Sequence, residues 1–285
     1  MGIFSGQPSQ PVGTEMAPTG LNIEGDQTRL KNTLGVDPEG IFTSDLSVAE
    51  YLLLQEAGFE PLGFVFGSSI YHIGLQIARF STNQELNVLT QAMYNARELA
   101  FTRMLKEAEE LHADGVAGVA VNLQTYVWGQ DVLEFIATGT AIRSTNTQSV
   151  YKNKDNKPFT CNLSVQDFYR LLAVGMVPVN FVFGTCVYHI AHQGIAQSMK
   201  QSYQNQEMEL FTSGIYSARE LALARMQADA KRSDAKGIVG VTTAIKSHIW
   251  GEHATEFLAT GTAIRKLENA QNQLLLIKPT YTLPY

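Results

Sequence analysis

The sequence predicts an α+β protein made of two copies of one β-α-β-β unit, each copy preceded by a short helix. The main observation is an internal repeat, because residues 43–74 align without gaps on residues 160–191 with 14 identities in 32 positions. Residues 96–143 align on residues 218–265 with 23 identities in 48 positions. Each copy also contains an apolar stripe at helical spacing and a strand-like alternation, which together predict the unit.

The repeat divides the chain into five segments. The first is an arm rich in Gly, Pro, Ser and Thr without periodicity, a composition typical of disordered or extended chain. A polar linker separates the modules, and an apolar tail containing Leu274 to Ile277 is expected to pack on its own domain or on a neighbouring subunit. The predicted boundaries are arm 1–42, module 1 43–143, linker 144–159, module 2 160–265 and tail 266–285.

A short helix is predicted at the start of each module. Ser47 followed by Glu50 forms a capping-box pattern, and Gly58 lies where a glycine usually ends a helix. Module 2 has the comparable residues Ser164, Asp167 and Gly175. The β-rich run Phe-Val-Phe-Gly then predicts strand one, at 64–67 and again at 181–184.

A long helix is predicted from about Gln84 to His112. Its small and apolar residues recur at helical spacing, namely Leu89, Ala92, Met93, Ala96, Leu99, Ala100, Met104, Ala108 and Leu111. The alternation of Val119, Val121, Leu123 and Val127 predicts a half-buried strand, and residues 134–143 predict a third. Residues 128–131 are predicted to form the turn between them. Module 2 repeats the pattern with Ile215, Ala218, Leu221, Ala222, Met226 and Ala230.

Composition excludes several classes of protein. The chain has 285 residues, of which 45% are hydrophobic and 17% charged, and its net charge is −6. An acidic chain without a basic cluster lacks the Lys and Arg that nucleic-acid binding needs. No apolar run approaches the length of a membrane span, and the N-terminus has no secretory signal pattern. Two distant cysteines form no disulfide framework, so a cytoplasmic location is predicted.

Each module contains three features in the same order, namely Ala-Arg-Glu-Leu-Ala at 96–100 and 218–222, a small-residue strand after Ala113 or Ala235, and a closing Gly-Thr-Ala-Ile-Arg. Together they resemble the YbjQ-like family, whose domain is described as putative heavy-metal-binding. The resemblance implies a β-α-β-β unit with an antiparallel sheet, related to the dodecin subunit, and assembly into pentameric rings. It implies little about activity, because a fold hosts many functions.

Module 2 contains the candidate metal ligands. Imidazole and thiolate groups suit Zn, Cu or Ni, and the candidates are Cys186, His189, His192, His248 and His253. Module 1 has Leu75, Tyr126 and Asp131 at the positions of the last three, so the two copies share no such site. Ordinary histidines at strand ends and surfaces are the competing interpretation.

Two further pairs are retained in both copies. His72 and His189 each follow a Tyr and are interpreted either as ligands or general bases or as structural histidines near a subunit contact. Trp128 and Trp250 stand beside a predicted turn. In dodecin-like assemblies a strand tryptophan can stack on a flavin, so these residues are candidates for a flavin or small aromatic ligand. Anchoring of a hairpin end or of an oligomer contact is the alternative.

Glutamate and arginine also recur in both copies. Glu134 and Glu256 precede a Phe on strand three, while Arg97 and Arg219 lie on the long helix. The predicted role of these residues is ion pairing across a subunit boundary. Common hydrolase and nucleotide-binding motifs are absent from the sequence, and no pairing of a nucleophile with a base is visible, so an enzyme is the least supported prediction.

The predicted function is therefore a non-catalytic, ring-forming scaffold or binding protein. A transition-metal-binding protein and a flavin or aromatic-ligand carrier are the alternatives. The predicted partner is the chain itself, as a homopentamer in which one ring of first modules is stacked on one ring of second modules. A ring that contains an even number of modules is the alternative. The linker of residues 144–159, at about 3.3 Å per extended residue, is long enough to step between such rings.

Overall fold

Two modules of the same architecture make up the chain. The computed structural model describes residues 28–72, 82–125, 132–146, 151–190, 207–247 and 254–267. Helix α1 (Thr28–Lys31) precedes module 1, which consists of α2 (Val48–Glu56), β1 (Phe59–His72), β2 (Gln84–Glu85), α3 (Asn87–Glu110), β3 (Gly115–Thr125) and β4 (Val132–Ser144). Module 2 consists of β5 (Phe159–Thr160), α4 (Val165–Ala173), β6 (Met176–His189), α5 (Glu209–Arg232), β7 (Gly237–Ser247) and β8 (Ala254–Lys266). The predicted α+β class and the helix-β-α-β-β unit are confirmed.

The short helices begin and end as their sequences predict. Ser47 caps α2 and forms a complete capping box with Glu50. Ser164 accepts a hydrogen bond from the backbone N–H of Asp167 at the start of α4. Gly58 and Gly175, just beyond the two helices, have φ angles of 80° and 73°, a conformation that glycine adopts without a steric penalty.

Each sheet combines three strands of one module with a short strand of the other. In module 1, β1 and β3 lie antiparallel on either side of β4, and β5 of module 2 extends this sheet beside β3. In module 2, β6 and β7 flank β8, and β2 of module 1 pairs with β6. The two modules therefore exchange strands and are built as one interlocked pair.

The predicted helical stripe forms the core of module 1. Seven of its nine residues are buried against the sheet, namely Leu89, Met93, Ala96, Ala100, Met104, Ala108 and Leu111. Helix α5 buries the corresponding Ala218, Ala222, Met226 and Ala230 on its own sheet. Small residues on the helix and a glycine on the strand allow a close approach, because a Cβ at Gly67 would overlap the carbonyl oxygen of Ala100.

Substitution of Gly67 by alanine is expected to lower the free energy of unfolding by about 1–3 kcal/mol, because helix and sheet must separate to admit the methyl group. Urea denaturation monitored by circular dichroism measures this change. Glu60→Ala on the same strand is the control, and it should change stability by less than about 0.5 kcal/mol because Glu60 lies at the surface. Equal stability of the Gly67 variant and the wild type would show that the contact is looser than described.

Three details differ from the sequence-based expectation. The long helix begins at Asn87, because Gln84 and Glu85 form β2 on the other module. Residues 28–42 of the predicted arm include α1, and Leu30 belongs to the core of module 1. At the end of the predicted linker, Phe159 is completely buried. These segments are fixed by contacts that join distant parts of the chain and leave no local pattern in the sequence.

Candidate functional site

The candidate functional site is the junction between the two modules, where aromatic contacts, hydrogen bonds and ion pairs join the described residues of both. One part of it is a strand edge, where β5 runs parallel to β3 with Gly115 opposite Phe159. The Phe159 ring occupies the space that a Cβ at Gly115 would need. It also contacts Phe59 and Phe168, at ring-centroid distances of 6.3 and 5.7 Å. A glycine in module 1 thus makes room for an aromatic anchor from module 2.

Helix α3 contributes a second buried face to the junction. Thr90, Tyr94 and Arg97 lie at helical spacing on this face, which packs on β6 of module 2. The Tyr94 ring lies 5.0 Å from the ring of Phe183. The Thr90 hydroxyl accepts a 2.9 Å hydrogen bond from the backbone N–H of Val187. Helix α3 therefore packs on both sheets, its own on one side and that of module 2 on the other.

A buried ion pair joins the modules at the centre of this face. The Arg97 guanidinium lies 2.6 Å from a carboxylate oxygen of Glu256, and both side chains are almost fully excluded from solvent. The Thr185 hydroxyl donates a 2.6 Å hydrogen bond to the same carboxylate. The Phe135 ring lies 4.8 Å from the Arg97 guanidinium carbon, within cation–π range. Such a pair favours one relative orientation of the modules, since a shifted arrangement leaves two buried charges without their partner.

A second ion pair ties β2 to α5. Glu85 lies 2.7 Å from Arg225, which also donates a 2.8 Å hydrogen bond to the Thr185 carbonyl. Burial of Arg225 disfavours its charge, but the hydrogen bond and charge of Glu85 outweigh that effect, so the pKa of Arg225 is raised. The ion pair therefore keeps the guanidinium charged where it secures the exchanged strand.

The predicted pairing of Arg97 with a glutamate is confirmed, with one difference. Arg97 and Glu256 meet between two modules of one chain, whereas the expectation was a boundary between subunits. Gly115, Phe159 and Thr90 were not predicted from the sequence. Thr90, Tyr94, Arg97 and Phe101 form a second stripe at helical spacing. A search that includes polar residues can identify this face from the sequence.

The predicted metal ligands lie only partly within the described residues. Cys186 belongs to the core beneath α5, whereas His189, three residues along the same strand, points to the opposite face of the sheet. His192, His248 and His253 lie outside the described residues, as do Trp128 and Trp250. The structure therefore does not bring Cys186 and His189 together, and the metal and flavin sites remain predictions.

The donor set of the described residues does not fit a metal ion. Across those ranges, no group of three or more His, Cys, Asp and Glu side chains lies close enough together to hold one. Burial raises the pKa of both Cys161 and Cys186 to about 12, which keeps each thiol protonated at neutral pH. A protonated thiol is a poor nucleophile. His72 lies at the end of β1, opposite Val132 of β4.

Comparison with protein families defines the class of this chain. The family model described as YbjQ, putative heavy-metal-binding, matches residues 60–145 and 176–266, which correspond to the two modules. The chain therefore belongs to the YbjQ-like family and carries its domain twice. Among the helices of the described residues, none has the length and apolar character needed to cross a membrane.

Individual relatives fall into two kinds. An encapsulin nanocompartment protein of Mycobacterium tuberculosis is 46% identical over 246 residues, which cover 86% of this chain and 92% of the relative. A UPF0145 protein of Pseudothermotoga lettingae is 35% identical over 97 residues, covering 31% of this chain and 90% of its own length. A UPF0145 protein of Thermotoga maritima is 38% identical over 89 residues, covering 30% and 82%. The first relative spans both modules, and each of the others corresponds in length to one.

Proposed function

We propose that this chain is a non-catalytic scaffold protein that associates with an encapsulin-type protein shell in the cytoplasm. The observation that carries the proposal is the 46% identity to an encapsulin nanocompartment protein, sustained over 92% of that relative. Identity of this extent covers both modules and the junction between them, so the relative is expected to share the interlocked pair. The relatives that match one module are named only as UPF0145 proteins.

The structure supports a scaffolding role more than a catalytic one. The charged residues of the junction are arranged in closed pairs, Arg97 with Glu256 and Arg225 with Glu85. Both cysteine thiols are buried, Cys161 in an apolar cluster and Cys186 beside the Arg225–Glu85 pair. The ion pairs hold the two modules together, and neither they nor the buried thiols are presented to a substrate.

Co-expression with an encapsulin shell protein tests the proposed function. We expect this chain to be retained when the shell is purified through a tag on the shell protein, and to sediment with intact particles in a sucrose gradient. The single-module protein of Thermotoga maritima is the matched control and should stay at the top of the gradient. Sedimentation of this chain as free protein, with intact shells further down the gradient, would contradict the proposal.

We also propose that the chain assembles with itself. The sequence-based proposal is a homopentamer of two stacked rings, which native mass spectrometry of the purified chain can count directly. A mass of five chains supports that number, and a monomer or a trimer contradicts it. Within one chain, module 1 packs against module 2. This contact favours an assembly in which the two kinds of module alternate over one with separate rings of like modules.

A further inference from the structure

The junction uses one face of each module and leaves the opposite faces exposed. Each junction residue has a counterpart in the other copy, 117 positions away up to strand one and 122 positions away from the long helix onward. We define outer face 1, on module 1, by Phe42, Val48, Phe66, Ile70 and Glu134. We define outer face 2, on module 2, by Tyr216, Arg219, Gly237 and Val241. These residues are the counterparts of the residues that meet inside the chain.

We propose that outer face 2 binds outer face 1 of a second copy of this chain, and so repeats between chains the junction that already exists within one. The proposal rests on the self-assembly proposed above and specifies the surfaces that perform it. Its support comes from apolar exposure, an open strand edge and the arrangement of two ion pairs.

Apolar side chains that are buried at the junction have exposed counterparts on the outer faces. Val187 is fully buried under α3, whereas its counterpart Ile70 is 60% exposed. The Tyr94 ring packs on the Phe183 ring, whereas their counterparts Tyr216 and Phe66 are 60% and 43% exposed. Exposed apolar and aromatic side chains of this size on both outer faces indicate interaction surfaces. Because the same pairs already pack inside the chain, a second copy fits this surface.

The strand edge of module 2 has the space for its missing strand. At the junction, Gly115 accommodates the Phe159 ring, but a Cβ at the counterpart Gly237 would make only ordinary contact with Ile264, at 3.7 Å. Nothing described near Gly237 uses the room that this glycine leaves. The residue that matches Phe159 is Phe42, which is 37% exposed where Phe159 is fully buried. The Phe42 ring of a second copy is the group that fits beside Gly237.

The residues around Phe42 are already placed for this pairing. The backbone N–H of Phe64 donates a 3.2 Å hydrogen bond to the Thr43 hydroxyl, and Phe181 makes the same bond to Thr160 at 2.7 Å. Residues 42–43 therefore sit on module 1 as β5 sits on module 2. Strand β7 lies at the edge of its sheet in the described residues, in the position that β3 occupies between β4 and β5 on module 1. A strand edge of this kind is a site for strand pairing.

Arg219 and Glu134, the counterparts of Arg97 and Glu256, have local contacts like those of the buried pair. Arg219 is exposed and lies 6.0 Å from the Phe257 ring, as Arg97 lies over Phe135. The Ser68 hydroxyl donates a hydrogen bond to Glu134, as Thr185 does to Glu256. Docking of the outer faces would bring Arg219 of one copy to Glu134 of the next.

Arg103 and Glu207 are the counterparts of the second ion pair, Arg225 with Glu85. Arg103 donates to the Ser68 carbonyl as Arg225 donates to that of Thr185. Burial lowers the pKa of Arg103, whereas Glu85 raises that of Arg225. Glu207, the counterpart of Glu85, is exposed on module 2 and would supply the carboxylate in a second copy.

Because the two outer faces differ, the contact is head-to-tail. Modules of the first and second kind then alternate along the assembly, and any closed ring contains an even number of modules. Stacked rings of like modules require a different contact, in which module 1 of one chain binds module 1 of the next.

Two variants that each block one face test the proposal. Ile70→Arg places a charge on outer face 1, and Tyr216→Arg does so on outer face 2; both positions are exposed, so folding should be retained and circular dichroism confirms it. By native mass spectrometry the wild type should contain several chains and each variant one. An equimolar mixture of the two variants should contain a species of two chains, one of each, because one intact face remains on each variant.

The outcomes separate this inference from the proposals on which it rests. Variants that keep the wild-type mass, or a mixture that remains monomeric, would overturn the head-to-tail contact. Like-module rings predict the first of these results, since Ile70→Arg leaves all contacts between second modules intact. A monomeric wild type would refute self-assembly altogether. Binding to the shell is measured separately by sedimentation, so its loss or retention bears only on the shell proposal.

Discussion

Replacement of Glu256 by glutamine should lower the free energy of unfolding by about 3–5 kcal/mol, because it leaves the Arg97 charge buried without its carboxylate partner. Chemical denaturation of the full chain measures the change. Ile70→Arg is included in every chain compared, so that one chain unfolds without dissociating from another. The expected loss is large because neither member of the pair has access to water that could solvate it.

The repeat supplies a matched control for this variant. Glu134→Gln alters the counterpart carboxylate, which is only partly buried on outer face 1, and should cost less than about 1 kcal/mol. A double variant, Arg97→Met with Glu256→Leu, should recover much of the lost stability, because it removes both charges together. Equal losses of stability in the Glu256 and Glu134 variants would contradict the claim that burial makes the Arg97–Glu256 pair costly to break.

Phe159→Ala is the second variant with a large expected effect. Loss of the ring should cost about 3–5 kcal/mol, because it empties a fully buried position between Phe59 and Phe168 and removes the anchor of β5. Thermal unfolding followed by circular dichroism detects the loss as a lower melting temperature. The matched control is Phe42→Ala in the same Ile70→Arg background, expected to cost less than about 1 kcal/mol since Phe42 is partly exposed. Similar losses at both positions would contradict the assignment of Phe159 as the anchor.

The sequence predicted those elements whose signal is local. The helix caps at Ser47 and Ser164 and the stripe through Met93 and Ala100 follow from hydrogen-bonding side chains and helical period, and the structure confirms them. The repeat was equally informative, because patterns that agree in both copies indicate one shared fold. The order of helices and strands in the unit could therefore be predicted from local sequence patterns.

The junction could be predicted only in part, for a physical reason. Arg97 and Glu256 each have an identical counterpart in the other copy, but this recurrence does not say which arginine pairs with which glutamate. The second face of α3 contains Thr90 and Arg97, so its apolar period is diluted by polar residues that are buried only when module 2 covers them. Strands β2 and β5 have two residues each, too few to show an alternation. Such elements exist because a neighbouring sheet edge supplies their partners.

The exchange of β2 and β5 has a consequence for how the assembly responds to dilution. Tethering through residues 145–158 converts the contact between the two modules into an intramolecular one, with an effective concentration in about the millimolar range for a short linker. Contacts between chains lack this advantage and weaken as the protein is diluted. In the head-to-tail assembly proposed above, every second contact would lie within one chain and would not depend on concentration, whereas in an assembly of single modules every contact does. Dilution would then release no unit smaller than the fused pair.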